Sequence, residues 1–69
     1  MKIIYLVHDK IKDLYLDTNN NLSELSANTA FFEKFEEAKE LADAGTNIFE
    51  GTLLTVRQAY IGLGESYAN

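Results

Sequence analysis

Thr29 to Gly45 (TAFFEKFEEAKELADAG) is the longest run in this chain with helical periodicity. Phe31, Phe35, Ala38 and Ala42 recur at steps of four, three and four, which puts them on one face of a 3.6-residue helix, and Leu41 widens that stripe. Glu33, Glu36, Glu37, Glu40 and Asp43 fall on the other side. The rest of the chain reads as short strands and turns. A single helix covers only one face of a sheet, so the second face must find other cover or stay exposed.

The ends of the helix are marked by local chemistry. Asn28 or Thr29 suits the N-cap, because a short side-chain oxygen satisfies the first orphan N–H groups. A start nearer Glu33, with Ala30 to Phe32 extended, is the alternative. Gly45 suits the position just past the C-terminus, where glycine adopts the left-handed conformation without penalty.

Lys2 to His8 reads as a strand with Ile3, Tyr5 and Val7 on one side and Ile4 and Leu6 on the other. Both sides are apolar, which predicts a central strand. After the polar turn Asp9–Lys12, Asp13 to Asp17 forms a second strand, with Leu14 and Leu16 opposite Tyr15, and the two make a hairpin. Asn19, Asn20 and Asn21 mark a turn, since asparagine tolerates positive φ and bonds its own backbone. Leu22 to Asn28 is irregular, with Leu22 and Leu25 as anchors. Thr52 to Tyr60 is rich in β-branched and aromatic residues and reads as the closing strand. Leu54, Val56 and Tyr60 share one of its faces; Leu53, Thr55, Arg57 and Ala59 share the other.

The predicted order is ββαβ: an α+β domain with a three-stranded antiparallel sheet and one helix packed on one face. Residues 1–69 form one small domain, and 61–69 is expected as a mobile tail. The uncovered face, carrying Ile4, Leu6, Tyr15 and Leu53, is then an exposed apolar patch of the kind that marks interaction sites. The competing expectation is that Ile61, Leu63 and Tyr67 of the tail fold back over it.

Size makes cover matter. At 69 residues, only ~60% of the unfolded surface is buried on folding. The chain has no cysteine and one histidine, so neither a disulfide nor a thiolate zinc site can staple it, which leaves association as the remaining device. A homodimer is accordingly one expectation. The net charge of −5 argues against direct binding to nucleic acid or to an anionic membrane. The apolar run in MKIIYLVHD is too short for a signal or a span, so a soluble, cytoplasmic protein is expected.

No motif for a nucleotide, a metal or a catalytic nucleophile occurs, so the expectation is a protein that is not an enzyme, with no cofactor, no metal and no catalytic residue. His8 lacks, by spacing, the nucleophile and orienting group that catalysis needs. The expected binding residues are Glu33, Glu36, Glu37, Glu40 and Asp43 on the helix, followed by Tyr5 and Tyr15 as aromatic anchors on the sheet. Glu33, Glu37 and Glu40 would stand about 4.5–6 Å apart along a helix axis, near the spacing of phosphates on one strand. Asp43, Asp9, Asp13 and Asp17 would extend this negative surface into an imitation of nucleic acid. The plainer alternative is a solubilising face diluted by Lys34 and Lys39.

Met1-Lys2 before an apolar strand, the Asn-rich turn, Ala30-Phe31-Phe32, Phe35-Glu36-Glu37-Ala38-Lys39-Glu40-Leu41-Ala42 and Phe49-Glu50-Gly51-Thr52 carry a resemblance. Over about half its length the chain resembles the small early proteins of bacteriophages and mobile elements. In layout it is similar to a small type I-F anti-CRISPR protein. That family's inhibitor uses basic residues on its helix, whereas this helix is acidic, so its contacts do not transfer. The resemblance implies a class: an inhibitor or adaptor, acting in the host cytoplasm, whose partner is a protein, such as a nucleic-acid-binding host or defence protein. A structural homodimerising module without inhibitory role is the alternative.

Overall fold

The computed structural model describes residues 2–61. The elements run β1 (Lys2–Asp9), β2 (Leu14–Leu16), β3 (Leu22–Ser23), α1 (Phe35–Ile48) and β4 (Leu54–Ile61). Among the described residues, the sheet has four strands in the order β3-β2-β1-β4, and every pairing is antiparallel. The α+β class is as read from the sequence. The three-stranded ββαβ count is corrected by β3, two residues that pair Leu22 with Leu16 and Ser23 with Tyr15. So short a strand carries no alternating pattern of its own and follows from the turn before it. In that turn Asn20 adopts a φ of 63°, as an asparagine turn predicts.

β1 is central and pairs with β4 over its whole length, from Lys2 opposite Ile61 to Asp9 opposite Leu54. Its other edge is shared. His8 and Asp9 pair with β2, and Tyr5 exchanges backbone hydrogen bonds with Phe32 at 2.8 and 2.9 Å. The Ala30 N–H donates to the Leu16 carbonyl at 3.0 Å. Ala30–Phe32 is therefore extended and stitched to both strands, and α1 begins only at Phe35. The later of the two predicted starts is the observed one. Lys34 occupies the N-cap position and offers no side-chain cap.

Gly45 is not past the helix end but inside α1, buried against β4. A Cβ there would collide with Leu54 Cδ1. The contact face of α1 is Ala38, Ala42 and Gly45, residues small enough to let the helix settle closely onto Val7, Leu16 and Leu54. The expected Phe31–Phe35 stripe is displaced as a result. Phe31 precedes the helix, and Phe35 and Leu41 are half exposed at its flanks. Phe35 instead meets Tyr5 edge to face, with ring centroids 5.8 Å apart. Thr46 joins helix to sheet: its hydroxyl donates to the Ala42 carbonyl and accepts the Leu54 N–H.

The second face of the sheet departs from expectation. Ile4 and Leu6 are 0% and 3% exposed and Tyr15 8%, so they form a second buried cluster, with Ala59 packed against it. The exposed apolar patch predicted there is absent; of its expected members only Leu53 is exposed. Two polar side chains meet Tyr15 there. Arg57 reaches across β1 to donate to the Tyr15 hydroxyl at 2.8 Å, and His8 lies on the Tyr15 ring at 4.7 Å. The Arg57 guanidinium also lies 6.0 Å from the centroid of the Tyr15 ring. The predicted tail, with Leu63 and Tyr67, lies outside the described residues except for Ile61, which closes β4.

Two outcomes follow for stability. Lys34→Ser places a serine three residues before Glu37 and completes a capping box; the urea midpoint should rise by an amount equivalent to ~1 kcal/mol. Gly45→Ala gains about 1 kcal/mol of helix propensity. It should nevertheless be net destabilising, because overpacking against Leu54 costs ~1–3 kcal/mol. Adding Leu54→Val should return part of that loss, as a double-mutant cycle in urea would read.

Candidate functional site

The acidic residues divide into buried and exposed sets. Asp9 and Asp17, expected on a negative surface, are buried instead. Asp9 Oδ1 accepts the N–H groups of Ile11 at 3.0 Å and Leu53 at 3.2 Å, which ties the β1–β2 turn to the entry of β4. Its Oδ2 has no hydrogen-bond partner among the described residues. Burial raises the Asp9 pKa, but the N–H groups of Ile11, Leu53 and Lys12, with the Lys12 charge, outweigh it and hold the carboxyl below its usual range. Asp17 Oδ1 accepts from Asn19 and Asn21, both at 2.9 Å, and Oδ2 accepts from the Ser23 hydroxyl. The Asn21 N–H is the largest cause that lowers its pKa; burial opposes it, and Asn19 and Ser23 add to it. These two aspartates organise turns and present no charge for a partner.

Most of the exposed set lies on and just before α1, while Asp13, Glu24 and Glu50 are exposed elsewhere. Glu33 is outside the helix and accepts a hydrogen bond from the Lys2 ammonium, which lowers its pKa. The predicted ladder of Glu33, Glu37 and Glu40 on one helix is therefore reduced to Glu37 and Glu40. Asp43 pairs with Lys39 at 2.7 Å, one turn away. Glu36, Glu37 and Glu40 are exposed and make no ion pair among the described residues. Glu36 and Glu40 are four residues apart and Glu37 and Glu40 three, so Glu40 neighbours both on the helix surface, where like charges repel. The helix presenting them is clamped to the sheet by its small-residue face.

Tyr5 and Tyr15 do not share a surface. Tyr5 is half-buried on the helix side and Tyr15 is buried on the other. Beside Tyr15 is an arrangement that sequence spacing did not expose: His8 Nε2 lies 2.7 Å from Asp13 Oδ1. Asp13 reaches it from a left-handed backbone, φ 56°, in the turn. A carboxylate that orients the histidine is thus present, but the Tyr15 hydroxyl is engaged by Arg57. The surroundings read as a tied-down hydrogen-bond network rather than as an open reaction site.

Among the described residues, two apolar grooves flank α1. One, of about 310 Å³, is lined by Leu16, Leu41, Ile48, Phe49 and Leu54. The other, of about 200 Å³, lies between Phe35, Ala42 and Val56. Neither brings titratable groups together for chemistry. Among the described residues, no cluster of His, Cys, Asp or Glu could hold a metal ion, and no helix is long and apolar enough to cross a membrane. No family model, no curated protein and no solved structure matches the chain.

The buried aspartates set the acid response. Depressed pKa values mean that their stabilisation is complete above the ordinary carboxyl value of 3.8 and is lost as pH falls below it. The urea midpoint should therefore stay level from neutral pH down to that value, then drop. Asp9→Ala should lower the neutral plateau by ~1–3 kcal/mol for each N–H left without its acceptor, and should flatten the acid limb.

Proposed function

We propose that this chain is a non-catalytic protein-binding inhibitor or adaptor of the phage or mobile-element type, acting through the exposed face of α1. The observation that carries this reading is the set Glu36, Glu37 and Glu40: three exposed carboxylates without ionic partners among the described residues, held on one rigid helix. Keeping like charges adjacent costs a few tenths of a kcal/mol per pair, about 0.2–0.5. A cationic surface on a partner would relieve that cost and be drawn to the helix by complementary charge. A host or defence protein that binds nucleic acid carries such a surface, and occupation of its groove by α1 would block it sterically and electrostatically. Glu33 and Asp43 flank the set but already neutralise Lys2 and Lys39, so they are secondary contacts. Tyr5 and Tyr15 are not offered to a partner in this reading.

The test is a comparison of the parent chain with Glu37→Lys/Glu40→Lys as bait in a phage-host lysate, followed by titration of the retained protein. The parent should retain basic, nucleic-acid-binding proteins and release them as salt rises. The charge-reversed variant should fold but bind about tenfold or more weakly. Equal retention by both baits would remove the acidic face from consideration.

A further inference from the structure

Independently of that reading, β4 carries a self-complementary edge. Among the described residues it is the outer strand of the sheet, eight residues long, without proline, glycine or bulge. The direction of its backbone groups follows from Tyr5. The Tyr5 N–H and C=O are both used on Phe32, on the side of β1 away from β4. Tyr5 and Gln58 are therefore a non-hydrogen-bonded pair, and the Gln58 N–H and C=O point outward. Alternation turns those of Val56 and Tyr60 outward as well. Two observations agree with this phase: the Leu53 carbonyl accepts from Lys10 on the inner side, and the Leu54 N–H turns to the Thr46 hydroxyl. Among the described residues, no backbone hydrogen bond satisfies the outward groups of Val56, Gln58 and Tyr60. Such a row is a template for another strand, and natural edges usually blunt it with charge, proline or a bulge.

We propose that the occupant is a second copy of this chain, paired β4 to β4, antiparallel, about a two-fold axis at Gln58. This register sets Val56 against Tyr60 of the second copy and Gln58 against its equivalent. On the helix side it joins a β-branched residue to a half-exposed aromatic, a favourable cross-strand pair, and it brings two amide side chains together. It also avoids charge. The only charged residue of β4 is Arg57, and its guanidinium is drawn inward onto Tyr15, away from the edge. The product is a continuous eight-stranded sheet in which both helices lie on one side. The contact differs from one through a sheet face, since the face opposite the helix is already closed. Each copy carries a net charge of −5, so screening should favour this association. That sign is opposite to the salt response of an acidic face on a cationic partner, which keeps the two proposals separable.

The experiment is sedimentation velocity on the full chain at micromolar and near-millimolar concentration, in low and moderate salt. A dimer that grows with concentration and with salt is expected. Gln58→Lys and Gln58→Glu each place like charges opposite one another at the axis and should weaken dimerisation by about tenfold or more. An equimolar mixture of the two should dimerise again. Gln58→Pro removes only an outward N–H and should give a folded monomer by circular dichroism. A parent chain that is monomeric under all conditions would overturn the proposal and leave the edge to a foreign strand or to none. So would a dimer indifferent to all three substitutions, or a mixture that fails to re-associate.

Discussion

β1 is the strand on which the rest of the structure depends. It is apolar on both faces and hydrogen-bonded along both edges. Val7 enters the cluster beneath α1, while Ile4 and Leu6 enter the cluster on the far side. In a chain this short, one strand that serves two cores is an economical way to bury surface. It also dictates where the edges fall. With β2 and Phe32 on one side, β4 must take the other, and its outer edge becomes the rim of the sheet.

The small-residue face of α1 has consequences on both sides of the helix. Ala38, Ala42 and Gly45 bring the helix axis close to the sheet, so Leu54 fills the space that larger helical side chains would otherwise take. Phe35 and Leu41, too large for that interface, are left at the flanks and line grooves. The close seat also fixes the rotation of the helix, and thereby directs Glu36, Glu37 and Glu40 outward. The charge on that face is thus positioned by packing on the opposite one.

Carboxylates of identical type serve different ends here because of where backbone N–H groups lie. Asp9 and Asp17 sit at turns whose N–H groups converge on them, so they remain charged while buried. Glu36, Glu37 and Glu40 sit in and just past the first turn of a helix, where water and the helix dipole suffice. A count of acidic residues does not separate these roles. The local geometry does, and it withdraws Asp9 and Asp17 from the exposed negative surface.

Sequence by itself determined the element types and the sidedness of the strands. Period-two alternation placed Tyr5 and Val7 opposite Ile4 and Leu6, and Leu14 and Leu16 opposite Tyr15, because pleating allows no other arrangement. The central place of β1 and the presence of a helix were legible for the same reason: periodicity is local. Only the tertiary structure decided what those faces meet. The helix lost its first turns because Tyr5 and Leu16 offered Ala30–Phe32 hydrogen bonds that a helix would have forgone. Gly45 became a packing residue because Leu54 lies across from it, a contact between positions nine apart that no helical period encodes. On the second face Arg57 reaches the Tyr15 hydroxyl from forty-two residues away. Contacts between distant positions depend on the path of the whole chain, which is why strand sidedness could be read directly and the exposed surface could not.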